Sequence, residues 1–370
     1  MSLHSHGLVA AGLVAGLTAA AAPAPTTLKE AFKDDFLVGV AINRNQIYDE
    51  DRRGDPIIKA QFDSISPENV MKWENIHPEP DKYDFAAADR YVEFGESNHM
   101  AIIGHVLIWH SQTPNWVFRD ANGNPVDRET LLNRMSNHIH TVVGRYKGRI
   151  KGWDVVNEAL YDSGLPRQSP WMKIIGEDYI AKAFEFAHQA DPNAELHYND
   201  YSLENEAKRK GAIALIKKLQ AEGVPITSVG LQCHVKMKWP TPQQEGATIS
   251  DFAKLGLKVM ITELDVDVVR ATQGNRSADI AEMSRPVTGG DNSTNVLPEA
   301  TQEALAARYA ELFNVFVKHR KDIDRVTFWG VTDGDSWLNR RGRLNYPLLF
   351  DRQGKPKPAF YAVLKTAAGD

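Results

Sequence analysis

Cysteine is all but absent from this chain. Its 370 residues include one, Cys233, so no disulfide can close within the chain and the fold must rest on its apolar core. Long runs of a single charge are missing too. The 43 basic and 48 acidic side chains leave a formal charge of −5, spread without blocks of either sign, which speaks against nucleic-acid or anionic-membrane partners. The apolar run at residues 8–22 is too short to span a membrane. It ends in small residues ahead of Pro23 and Pro25, and Ala19-Ala20-Ala21 offers a cleavage site. Residues 1–24 are therefore expected to be a secretory signal or a disordered Ala-rich tail. Residues 1–7 lack Lys and Arg, carrying only His4 and His6. On the signal reading the protein is secreted or periplasmic.

What is present is an ordinary soluble composition, 42% hydrophobic and 25% charged, with eight Trp. From Leu28 onward, short apolar runs alternate with longer amphipathic stretches. The runs at 36–41, 62–66, 101–107, 150–156, 195–199, 229–232, 259–262 and 326–331 read as strands. Helical spacing recurs between them, as at 180–190, 206–222 and 299–319. Eight strand–helix units point to an α/β fold, a single-domain (β/α)8 TIM barrel over residues 28–367. Its functional groups are then expected where the strands end. Cys233, between Gln232 and His234 on an apolar strand, is read as a small buried hydrophobe rather than a nucleophile.

Two of these strands end on a carboxylate. Trp153-Asp154-Val155-Val156-Asn157-Glu158 closes the fourth and Ile261-Thr262-Glu263-Leu264-Asp265 follows the seventh. An acid just past an apolar run is costly to bury without a use, and a pair of them is what glycosidic cleavage requires. These motifs resemble the acid/base and nucleophile segments of glycoside hydrolase family 10, the endo-β-1,4-xylanases. Matches to that family continue at similar spacing over roughly residues 30–365.

The resemblance implies a role for each polar strand end. Glu158 would be the acid/base and Glu263 the nucleophile. His234 would bond Glu263, Asp265 would bond His234, Gln232 would bond Glu158, and Asn157 would donate to the sugar 2-hydroxyl. Glu68, Asn69 and Lys72 would bind xylose on the non-reducing side of the cut, with His105 and Trp109 beside the scissile bond. Tyr201 would be a sugar platform on the leaving-group side. Trp329 and Trp337 would wall the cleft. The polar loop at 271–298, with glycosylation-like triplets at Asn275 and Asn292, either borders the cleft or is a passive excursion.

The expected activity is hydrolysis of internal β-1,4-xylosidic bonds in xylan and xylo-oligosaccharides by a monomer, with two glutamates and no metal or organic cofactor. Three alternatives stay open on sequence alone. One is the same chemistry on another β-1,4 glycan such as cellulose. Another is a catalytically silent xylan-binding barrel. The third is a metallohydrolase using His105, His197 and His234, which all stand near strand ends.

Overall fold

The computed structural model describes residues 26–269, 297–339 and 344–367. The stretch 1–24 and, apart from Leu297 and Pro298, the polar loop 271–298 lie outside the described residues. The strands are β1 Leu37–Ile42, β2 Ser64–Pro67, β3 Ala101–Ile108, β4 Gly152–Asn157, β5 Glu195–Asp200, β6 Ser228–Leu231, β7 His234–Lys236, β8 Lys258–Asp267 and β9 Ile323–Phe328. Their pairings are parallel. β1 lies between β2 and β9, and β6 pairs with β8, so the sheet closes on itself. β7 continues the line of β6 and pairs with the far end of β8, His234 opposite Asp265. The two short strands thus form one stave, and the structure is a closed eight-stave (β/α)8 barrel.

Both faces of the barrel wall are covered, which is why its strands read as apolar runs rather than alternating ones. β4 and β6 are buried throughout, and β1, β3 and β5 bury everything after their first residue. Outside, the helix Tyr179–Ala190 turns Tyr179, Ile180, Ala183, Phe184 and Ala187 inward at helical spacing. Thr241 starts the helix Pro242–Ala253 with a capping box to Gln244. Asp127 caps the helix Arg128–Arg145 through the Thr130 amide.

Strand ends differ from the sequence reading for local reasons. β4 begins at Gly152 rather than 150 because the Ile150 amide still bonds back to the Tyr146 carbonyl at 3.2 Å. β9 starts at Ile323 and stops at Phe328. The Trp329 amide makes one more bond, 3.0 Å to Leu264 O, before Gly330 at φ 125° turns the chain away. The break between β6 and β7 falls at Cys233, which takes φ 56° although it carries a Cβ. The turn after β9 is pinned from below by Lys357. Its buried ammonium donates to Asp333 Oδ2 at 2.9 Å and to the carbonyls of Tyr346 and Leu348 at 2.8 and 2.7 Å.

Two glycines allow close approaches that any side chain would block. A Cβ at Gly104 would lie 2.1 Å from the Trp153 ring, and one at Gly230 would lie 2.2 Å from Asn199 Oδ1. Gly230→Ala is therefore expected to destabilise the fold by about 1–3 kcal/mol through overpacking. Urea denaturation checks this, and an unchanged midpoint would contradict the packing described.

Candidate active site

A cleft of about 260 Å³ opens at the C-terminal ends of the strands. Glu158 and Glu263 both line it. So do Asn157, Gln232 and His234 beside them, and Glu68, Asn69 and Lys72 from the segment after β2. His105 and Trp109 enter from β3 and its following turn, and Trp329 and Trp337 from the turn after β9. Asp265 sits behind His234, 1% exposed.

Tyr201 is not brought into the cleft, and its expected use as a sugar platform is corrected. It is 1% exposed. Arg167 donates to its hydroxyl at 2.8 Å, and Lys208 Nζ stands 3.2 Å from its ring centroid. That lysine pairs with Asp200 at 2.9 Å. The ring is thus buried away from the cleft, between two cations.

Glu158 follows β4 directly and takes φ 58°, a costly conformation for a residue with a Cβ, held here by its surroundings. Its amide donates to Asn199 O at 2.9 Å. Trp109 Nε1 donates to one carboxyl oxygen at 2.9 Å and Gln232 Nε2 to the other at 3.1 Å. Asn199 Nδ2 donates to Glu263 at 2.8 Å, and His234 Nε2 stands 3.2 Å from the second Glu263 oxygen. His234 Nδ1 is 3.0 Å from Asp265 Oδ2, which also accepts from Trp337 Nε1 at 2.6 Å.

Between the two glutamates runs a chain of amides. Thr262 donates to Asn199 Oδ1 at 2.7 Å, and the Asn199 NH2 faces Glu263 and Asn157 Oδ1, the latter 3.0 Å away. Gln232 Nε2 donates to the same Asn157 oxygen at 3.1 Å. Asn157 Oδ1 is thereby the acceptor, and its NH2 faces Glu158 at 3.3 Å. On the other side of the cleft Lys72 Nζ donates to Asn69 Oδ1 at 3.0 Å and Gln112 Oε1 at 2.9 Å.

The charges divide accordingly. Burial pushes the Glu158 carboxyl above its usual range; the Trp109 and Gln232 donors oppose this, and the negative Glu263 adds to it. Burial acts on Glu263 in the same sense, but the His234 bond, nearby His105 and the Asn199 bond outweigh it and hold Glu263 below the usual value. His234 has a carboxylate on each ring nitrogen, so both nitrogens must donate. Burial disfavours its charge, yet Asp265 and Glu263 raise its pKa to about 10. The two acids facing one cleft are therefore pushed in opposite directions, Glu158 toward its neutral form and Glu263 toward its anion.

Sequence reasoning left several participants without a role. Asn199, next to last in β5, is in register with Asn157 at the end of β4, and that pairing of amides near strand ends was the signal for it. Gln112 lines the cleft from a φ of 46°. Asp154 accepts from His105 at 2.9 Å and lies 3.2 Å from His197 Nδ1. Those bonds, working against burial, hold Asp154 below the usual carboxylate range. Two of the three strand-end histidines thus serve a buried aspartate and the third serves the nucleophile candidate, so they do not converge as a ligand set.

The sequence profile described as glycosyl hydrolase family 10 matches residues 27–366. The chain belongs to that family. An endo-1,4-beta-xylanase A from Xylanibacter ruminicola is 44% identical, over 96% of this chain and 97% of the relative. A beta-1,4-xylanase from Dictyoglomus thermophilum is 42% identical over 92% and 90%. A solved family-10 endoxylanase from a sugarcane soil metagenome is 42% identical with a TM-score of 0.84, covering 93% of this chain and all of that one. Within this family-10 barrel the His234 charge has a measurable consequence. Its pKa is raised from 6.5 to about 10 on folding, so its stabilising contribution is full below about pH 6.5 and is lost as pH rises toward 10. The gap in thermal midpoint between the parent and His234→Gln is expected to narrow over that window. A gap that stays constant or widens would contradict the assignment.

Proposed function

We propose that this chain is a retaining endo-1,4-β-xylanase in which Glu263 is the nucleophile and Glu158 the acid/base. The observation that carries the reading is the unequal partnering of two buried glutamates lining one cleft, with neutral donors on Glu158 and the His234 ring on Glu263. Glu158 follows β4 and Glu263 lies on β8 of a family-10 barrel, and the curated relatives of this chain bear endo-1,4-β-xylanase names. The ionised Glu263 attacks the anomeric carbon while neutral Glu158 gives its proton to the departing glycosidic oxygen. Glu158, now a carboxylate, then takes a proton from water, whose oxygen displaces Glu263 and returns the enzyme to its starting state. Two inversions give net retention, and this route requires carboxyl groups about 5–5.5 Å apart.

The surroundings suit a pentose polymer. Glu68, Asn69, Lys72 and Gln112 offer short-range donors and acceptors to paired hydroxyls on the non-reducing side. Trp329 and Trp337 offer aromatic faces near the cut, and Asn157 an amide for the 2-hydroxyl. Xylan and xylo-oligosaccharides are thus the proposed substrates. We also read residues 1–24 as an export signal, on their apolar run and small-residue end. Intact mass of protein recovered from outside the cytoplasm should then lack that stretch, and an uncleaved mass there would overturn the reading.

Products from soluble glucuronoxylan test the main proposal. Wild type should release short xylo-oligomers with the β configuration first, and Glu263→Ala should lose at least about 10³-fold in kcat. Wild-type activity in Glu263→Ala, or a first product of inverted configuration, would sink the mechanism. Release from cellulose or mixed-linkage glucan but not from xylan would move the substrate and leave the chemistry.

A further inference from the structure

Behind the cleft lies a group of side chains that the reaction does not touch. Cys233 Sγ is 3.5 Å from Glu204 Oε1 and 3.4 Å from Glu245 Oε1. All three residues are buried, at 1%, 2% and 0% exposure. Among the described residues they form the group of three metal-capable donors drawn within 4.8 Å of one another. Their hydrogen bonds do not balance. One S–H cannot donate to two carboxylates at once, and the second Glu245 oxygen is buried with no partner. Two anions within 4.8 Å of one another, both buried, would repel strongly.

The group stands at the joint of the catalytic frame. Cys233 is the residue at φ 56° that breaks the sixth stave. Its neighbours are Gln232, which bonds Glu158, and His234, which bonds Glu263. Its carbonyl accepts from the Asp265 amide at 3.4 Å, and the Gln232 carbonyl accepts from the Glu263 amide at 3.0 Å. Glu204 comes from the turn after β5, and Glu245 from the first turn of Pro242–Ala253. A shift of the thiol therefore moves the partners of both catalytic glutamates.

We propose that Glu204 and Glu245 share one proton, and that this singly charged pair, with the Cys233 thiol, is a positioning brace for Gln232 and His234. The remaining negative charge has company on every side. Lys208 and His234 lie near Glu204, and Arg308 lies near Glu245. Arg209 donates to the Glu204 carbonyl at 3.2 Å and to Thr248 at 3.1 Å. The helix N-terminus faces Glu245. Each of these cations also has another carboxylate beside it, Lys208 with Asp200, His234 with Asp265 and Glu263, Arg308 with Glu311 and Arg209 with Asp251. Burial and the Glu204 charge raise Glu245 to about 8, and burial raises Glu204 and the thiol as well. The pair thus keeps its proton at neutral pH and gives it up in mild alkali. Loss of the proton drives the two carboxylates apart and carries Cys233 with them.

The proposal rests on the xylanase reading for its rate readout, and a spectroscopic arm stands without it. Glu245→Gln has the shape of the neutral acid and cannot titrate. Between pH 7 and 9.5 the parent should lose a neutral-carboxyl C=O band in difference infrared spectra, and the variant should not. On an aryl xylobioside whose leaving group needs no protonation, parent kcat/KM should fall about tenfold near pH 9, while Glu245→Gln stays near its neutral value. Cys233→Ala should lower kcat several-fold with KM little changed, and Cys233→Ser, which restores a donor, should recover it. Identical infrared titrations, superimposable pH profiles or one equivalent of tightly held zinc in the purified protein would each overturn the shared proton.

Discussion

Two buried carboxyl groups line one cleft, and the groups around it push one toward its neutral form and the other toward its anion. The difference is made by unequal partners. Glu158 receives neutral donors, the Trp109 indole and the Gln232 amide. Glu263 receives an imidazolium that has a second carboxylate behind it. A neutral donor accepts either form of the acid at modest cost, whereas an adjacent cation strongly favours the anion. The asymmetry is therefore built from the identity of the partners, while burial presses on both acids alike.

The barrel supplies the precision that this asymmetry needs. Parallel strands in fixed register bring Asn157 opposite Asn199, and Gly230 leaves the space through which the Asn199 amide lies. The Glu263 carboxylate, which can only accept when ionised, then fixes which way that amide faces, and the Thr262 hydroxyl satisfies its oxygen. None of the linking side chains carries charge, yet together they join the two glutamates by a chain whose every orientation is determined by its neighbours. The strained backbone at Glu158 and Cys233 belongs to the same frame. Both stand where a stave must end or bend to turn a side chain toward the cleft, and the closed sheet around them bears the cost.

How much of this was legible in the sequence follows from the range of each interaction. Strand–helix alternation is local, so the eight-stave barrel could be read from period and spacing. The two glutamates could be read because each ends an apolar run. The stave break at Cys233 could not, since a positive φ on a residue other than glycine leaves no local mark. Tyr201 was misread for a related reason. Its position after β5 was right for a cleft wall, but Arg167 and Lys208 come from other segments to bury it. Asn199 was visible as a strand end, and only its register against Asn157 gave it meaning.

The aromatic wall of the cleft is tied to the groups that set the charge of Glu263. Trp337 donates to the same Asp265 oxygen that faces His234, and its ring lies 4.7 Å from the imidazole. Trp329 stands edge-on to both His105 and His234, at 5.4 and 6.4 Å. Whatever presses on this wall therefore bears on the partners of Glu263 as well as on the rings. Asp265 Oδ2 joins Trp337 to His234, and His234 joins both to Glu263. A change at Trp337 would thus reach Glu263 through the imidazole, by that shared oxygen and by the ring contact together.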